Sequence, residues 1–146
     1  MSTTDAATAR ACAEEMWRND AASRALGMEL VDVRPGEATV AMTVRADMVN
    51  GWDICHGGLV ASLADSAFAV ACNSHGTVTV AAGFDVTFLE PARLGDRLVA
   101  QAREVALRGR SGLYGVRVTR DDGTVLAELR GRSRSTGRPN PAAAAG

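Results

Sequence analysis

Residues Gly57 to Gly76, GGLVASLADSAFAVACNSHG, constrain this chain more than any other segment. The run is long enough for about five helical turns, contains no proline, and ends at a glycine, a natural helix stop. Leu59, Val60, Leu63, Ala64, Phe68, Val70 and Cys72 put apolar side chains nearly all round it. A helix without a polar face is buried on all sides. Ala61, Ala64, Ala67 and Ala71 would let it lie close to a sheet. It is too short to cross a membrane and it carries Asp65, so no membrane partner is expected.

The flanking sequence supplies the sheet. Met28–Val33 and Ala38–Val44 are short extended runs split by Arg34-Pro35-Gly36-Glu37, a hairpin signal in which proline presets φ and glycine accepts positive φ. Four longer strand candidates follow: Val78–Leu89, Arg97–Leu107, Gly112–Arg120 and Thr124–Arg134. Pro91 with Gly95-Asp96, then Gly109–Gly112, then Asp121-Asp122-Gly123 separate them. Residues 5–25 read as one N-terminal helix ended by Gly27, with Ala9, Ala13, Met16, Trp17 and Ala21 on one stripe. The order is helix, two strands, buried helix, four strands. It predicts an α+β protein: an antiparallel sheet wrapped around a long central helix, with an N-terminal helix. The other sheet face and any open edge favour oligomerisation.

The chain has 146 residues, enough for one core, and 47% hydrophobic residues, which excludes disorder as the main state. We place a single domain over residues 1–134. The remainder, STGRPNPAAAAG, predicts a flexible tail over residues 135–146. A net charge of −1 gives no electrostatic case for a nucleic-acid partner. Cys12, Cys55 and Cys72 lack the spacing of a disulfide framework or a metal site. Asp and Glu stand near the N-terminus where a secretory signal would be apolar, so a cytoplasmic location is expected.

Asp65 stands alone on the apolar helix. Burying an unpaired carboxylate costs several kcal/mol or raises its pKa. Ala61, Ser62, Phe68 and Ala69, its neighbours one turn away, include no cation. Two readings are open: a carboxylate that reaches solvent or an arginine, and a nucleophile or general base. His56-Gly57-Gly58 opens the same helix. Helix N-termini present free amide N–H groups and partial positive charge, and paired glycines allow close approach. A carbonyl oxygen gaining negative charge would be stabilised there. Asn50 and His56 flank this loop, each either a substrate contact or a loop cap. Cys55 as a thiol nucleophile lacks a third, orienting group. His75 reads as a dipole-compensating cap.

The spacing has a consequence. Gly57 and Asp65 are eight residues apart, or about 12 Å along a helix. Both would have to lie about 3 Å from one reacting carbonyl. If both act on one substrate, they come from two copies of the helix, and a two-fold dimer holds two shared sites.

Asn50-Gly51, Cys55-His56-Gly57-Gly58, Leu63-Ala64-Asp65-Ser66-Ala67-Phe68-Ala69 and Ala71-Cys72-Asn73-Ser74 together strongly resemble the PaaI family of hotdog-fold acyl-CoA thioesterases, associated with phenylacetate catabolism. The resemblance runs from Asn19-Asp20 through Phe88-Leu89 and Gly95-Asp96 to Arg130-Gly131. It implies an acyl-CoA substrate, homodimers joined as homotetramers, and no cofactor, since coenzyme A belongs to the substrate. It further implies Asp65 as the catalytic carboxylate, the partner's Gly57 amide as the group polarising the thioester, and His56 and Asn50 as assisting residues. Gly58 and Ser66 are expected at the substrate. Arg108, Arg110 and Ser111 sit in a turn suited to phosphate; Arg130, Arg132 and Arg134 share one strand face. Trp52-Asp53-Ile54 departs from the family pattern beside the acyl pocket. A hotdog enoyl-CoA hydratase and a non-catalytic acyl-CoA-binding module are the alternatives.

Overall fold

The computed structural model describes residues 2–144. Ser2 caps α1 (Thr3–Asn19) in a capping box with Asp5. The single helix expected over 5–25 is broken at Asp20. There the backbone leaves the helical region (φ −90°, ψ 86°), and the side chain starts a second helix, α2 (Ala21–Ala25), by accepting from the Ser23 N–H. Asp is a strong N-cap, and that chemistry outweighs the helix-forming composition on either side. β1 (Glu29–Arg34) and β2 (Glu37–Thr43) form the expected hairpin, with Gly36 at φ +77°.

α3 (Gly57–Cys72) is the central helix. It stops short of Gly76 because Asn73 takes over: its Nδ2 donates to the Ala69 and Thr79 carbonyls, and its Oδ1 accepts from the Thr79 N–H. One buried amide thus ends the helix and starts the next strand. β3 (Thr77–Phe88), β4 (Arg97–Arg108), β5 (Ser111–Arg120) and β6 (Val125–Pro139) follow. The six strands form one antiparallel sheet in the order β1-β2-β4-β5-β6-β3, leaving β1 and β3 as edges. α3 packs against β2, β4 and β5. Leu63, Ala64, Ala67, Phe68 and Ala71 meet Val40, Leu98, Ala100, Tyr114, Val116 and Leu129 in the core. No helix among the described residues is long and apolar enough to cross a membrane.

Two expectations are corrected. The tail expected over 135–146 is ordered through residue 144, and residues 145–146 lie outside the described residues: β6 continues to Pro139 opposite Thr77, and Thr136 donates to the Val78 carbonyl at 2.8 Å. α4 (Pro141–Ala144) then lies against α1. The long β3 offers a ladder to any following segment, and Pro139, which has no N–H, falls at the last pair. Nor is α3 buried all round. Its sheet-facing side is closed, but Ala61, Ser62, Asp65 and Ala69 form a half-buried stripe. β3 likewise leaves Val80, Phe84 and Phe88 exposed.

Gly131 on β6 lets the Phe68 ring reach the sheet: a Cβ there would lie 2.9 Å from the ring. Phe68 in turn packs on Tyr114 with ring centroids 5.5 Å apart. Gly131→Ala should destabilise the fold by about 1–3 kcal/mol through overpacking, read as a lower urea midpoint with an unchanged slope. An unchanged midpoint would show that the helix is free to shift away from the sheet.

Candidate active site

His56 is the N-cap of α3, and its Nδ1 accepts the Gly58 N–H at 3.1 Å. A backbone N–H can only donate, so Nδ1 is unprotonated and the neutral ring carries its proton on Nε2. The N–H groups of Leu59 and Val60 go to the His56 carbonyl. Among the described residues the Gly57 N–H has no protein acceptor. Gly57 borders a cleft of about 420 Å³ with Asn50, Val60, Phe88, Glu90 and Leu126. A Cβ on Gly57 would stand 3.0 Å from the Phe88 ring, so the absent side chain is what lets strand and helix end meet here. Asn50 is both a loop cap and a lining residue: its Oδ1 accepts from the Trp52 and Ile54 N–H groups at 2.9 and 3.4 Å, folding the loop at the cleft wall.

Asp65 lies outside this cleft, two turns along α3. Because α3 begins at Gly57 itself, the separation of about 12 Å expected from the spacing holds within one chain. Burial raises the Asp65 pKa above its ordinary value, and the Asp20 carboxylate adds to the rise; among the described residues no cation opposes either. Burial also raises the Cys55 thiol, which suits a packed side chain rather than a thiolate nucleophile.

Other expected site residues are engaged inside the chain. The Gly58 N–H is held by His56, and the Ser66 hydroxyl lies 2.7 Å from Ser23 Oγ. Arg108 and Ser111 line a second cavity of about 440 Å³ together with Arg132 and Arg134, while Arg110 turns its guanidinium toward Gly137. Phe88 borders the first cavity and Ala82 the second, which puts them about 20 Å apart along β3. His75, expected to cap the helix, instead meets Glu104 of β4 at 2.6 Å. Sequence reasoning missed Phe88, Glu90 and Leu126 as cleft residues. Only the β3–β6 register, which seats Phe88 opposite Ala127, brings them to α3.

A curled antiparallel sheet around one long helix, with a free amide at the helix N-terminus above an apolar cleft, is the hotdog architecture of thioesterases. The thioesterase superfamily model matches residues 53–127. The acyl-coenzyme A thioesterase PaaI of Escherichia coli (strain K12) is 41% identical over 125 residues, spanning 86% of this chain and 89% of that protein. The chain belongs to the thioesterase superfamily, and the resemblance to PaaI read from its motifs is borne out. The solved structure of the E. coli PaaI protein from the phenylacetic acid degradation operon matches with a TM-score of 0.90 at 39% identity, covering 92% of this chain and 97% of the other. The TT0310 protein of Thermus thermophilus matches with a TM-score of 0.76 at 39% identity, covering 80% and 97%.

A carboxyl whose folded pKa exceeds its unfolded value stabilises the fold only at low pH. That contribution is complete below the unfolded pKa and is lost as pH rises through the folded one. Asp65→Asn cannot ionise and escapes the loss. Its Tm should therefore exceed that of the unsubstituted protein at neutral pH, and the gap should close as the pH falls below the carboxylate range. A lower Tm for Asp65→Asn at neutral pH would mean that a cation pairs with Asp65.

Proposed function

We propose that this chain is a cytoplasmic acyl-CoA thioesterase that hydrolyses aryl-acetyl or hydroxyphenylacetyl-CoA type thioesters to the free acid and coenzyme A. One observation carries the reading: a half-buried carboxylate and a helix-end amide, neither with a partner of opposite character among the described residues, sit on one helix, too far apart to meet within one chain. The apolar cleft beside Gly57, walled by Phe88, Val60 and Leu126, suits an aryl group. The E. coli relative is named an acyl-coenzyme A thioesterase. The three cysteines are all buried and unpaired, in keeping with a reducing compartment.

In this reading the site lies between two subunits. The exposed apolar edge of β3 and the half-buried stripe of α3 are the surfaces a second copy would cover, as a homodimer and then a homotetramer. The thioester carbonyl of the substrate accepts a hydrogen bond from the partner's Gly57 amide at the positive end of α3. The Nε2–H of His56 and the amide of Asn50 are further donors at that loop. Asp65 supplies the electron pair by one of two routes. It attacks the carbonyl carbon, expels the thiolate of coenzyme A, and leaves a mixed anhydride for water to hydrolyse. Alternatively it takes a proton from water as that water attacks. Arg108, Arg110 and Ser111 are the proposed contacts to the phosphates of coenzyme A.

Release of free thiol from phenylacetyl-, hydroxyphenylacetyl-, straight-chain and branched acyl-CoA esters tests the substrate class. Aryl-acetyl esters should have the highest kcat/KM; a clear preference for straight chains would overturn that assignment. Asp65→Asn should lower kcat at least about 100-fold with the fold intact. Near-normal turnover by folded Asp65→Asn would remove it from the chemistry. Gly57→Ala, which adds the same Cβ against the Phe88 ring but keeps the amide hydrogen, is the control and should stay active; Gly57→Pro lacks that hydrogen, and its backbone suits a first helical position. Mixing it with Asp65→Asn should restore activity on subunit exchange, towards half the unsubstituted value per mixed dimer. Mixed dimers that stay inactive, with both parents folded, would exclude the two-chain site.

A further inference from the structure

α2 is only five residues long, yet it carries a polar chain to the helix that holds Asp65. Asp20 Oδ1 accepts the Ser23 N–H at 2.9 Å, and Oδ2 accepts the Ser23 hydroxyl at 2.7 Å. This fixes the direction of the next bond. Ser23 has one hydroxyl hydrogen and Asp20 receives it, so Ser66 must donate across the 2.7 Å separation to Ser23 Oγ. Ser23 is only 3% exposed, which keeps water from competing. The chain ends on Ser66, the residue next to Asp65. Helix capping uses the bond to the Ser23 N–H; the second carboxylate oxygen and the serine pair tie α2 to α3.

We propose that Asp20 is a positioning residue for the reaction: through Ser23 and Ser66 it fixes the helical turn that carries Asp65, and it sets a second anion beside that carboxylate. The inference rests on the reading of Asp65 as nucleophile or base. A neighbouring anion makes a carboxylate the stronger base, because the ionised form is disfavoured by like charge. Asp20 acts on Asp65 in this sense, second to burial. Among the described residues no arginine pairs with Asp20 or Asp65: Arg24 of α2 donates to the Arg18 carbonyl, and Arg18 of α1 pairs with Glu15. On α3 itself the group coupled to Asp65 is Cys72, whose thiol burial pushes up to about 12, leaving it neutral.

Asp20→Asn removes the charge and keeps the cap, its Oδ1 still accepting the Ser23 N–H; its Nδ2 can only donate, so it donates to Ser23 Oγ and the Ser23 hydroxyl turns to donate to Ser66. The Asp65 carboxyl is titrated by NMR in the full chain carrying ¹³C-labelled aspartate, a readout that needs no turnover. Its midpoint should move to lower pH in Asp20→Asn, and the acid limb of kcat/KM for phenylacetyl-CoA should move down with it. Ser23→Ala, which breaks the chain to Ser66, should lower kcat about tenfold while KM changes less than about twofold. An Asp65 midpoint that stays in place or rises in Asp20→Asn overturns the proposal, as does an unchanged kcat in folded Ser23→Ala. Failure of the underlying reading looks different: Asp65→Asn would then turn over normally, whatever Asp20 does to the titration.

Discussion

The close seating of α3 in the concave sheet is the contact on which the rest of the structure depends. It is made by residues that take up little room. Ala64, Ala67 and Ala71 face the sheet, and Gly131 leaves the strand surface open for the Phe68 ring. Interiors pack at nearly crystalline density, so a helix held this tightly has little freedom to slide or turn. Its orientation then places both groups of the candidate site. The N-terminus is delivered to the cleft against Phe88, and the Asp65 stripe faces away from the strands.

That orientation leaves a carboxylate half-buried with no cation among the described residues to offset it. A chain selected only for stability would place alanine or asparagine there. In the proposed reading, an ionisable group kept where burial and Asp20 both resist its charge sacrifices stability for a more basic oxygen. The helix end shows the same trade-off. The His56 ring satisfies the Gly58 amide, while the Gly57 amide has no acceptor among the described residues and borders an apolar cleft. Unsatisfied donors are usual in the first turn of a helix. Here one of them borders an opening large enough for an acyl group.

Much of this was legible in the residues. The apolar run with its single aspartate, the Pro35-Gly36 hairpin and the Asp-Gly turn are local signals. Local hydrogen bonding and periodicity decide such elements, so their boundaries fall within a few residues of those expected. What was not legible depends on partners far along the chain. β6 runs on past Ser135 because Thr77 and Val78, more than fifty residues earlier, supply its ladder and the acceptor for Thr136. Phe88 and Leu126 become cleft walls only through the β3–β6 pairing. The break at Asp20 was local but ambiguous, since one capping side chain sits between two stretches of equally good helix formers. The half-exposed stripe of α3 reads as fully apolar apart from Asp65 and its serines, because sequence shows which side chains need cover and not whether the same chain provides it.

The central claim is that one substrate carbonyl is held between Asp65 of one subunit and the Gly57 amide of another. A crystal structure with a ketone analogue of phenylacetyl-CoA, in which a methylene replaces the thioester sulfur, tests it most directly. The predicted result has the carbonyl oxygen about 3 Å from the partner's Gly57 nitrogen and the carbonyl carbon facing Asp65 of the first chain. A complex in which both groups reach the carbonyl from the same chain, or in which Asp65 lies beyond the reach of one water molecule from it, would contradict the claim.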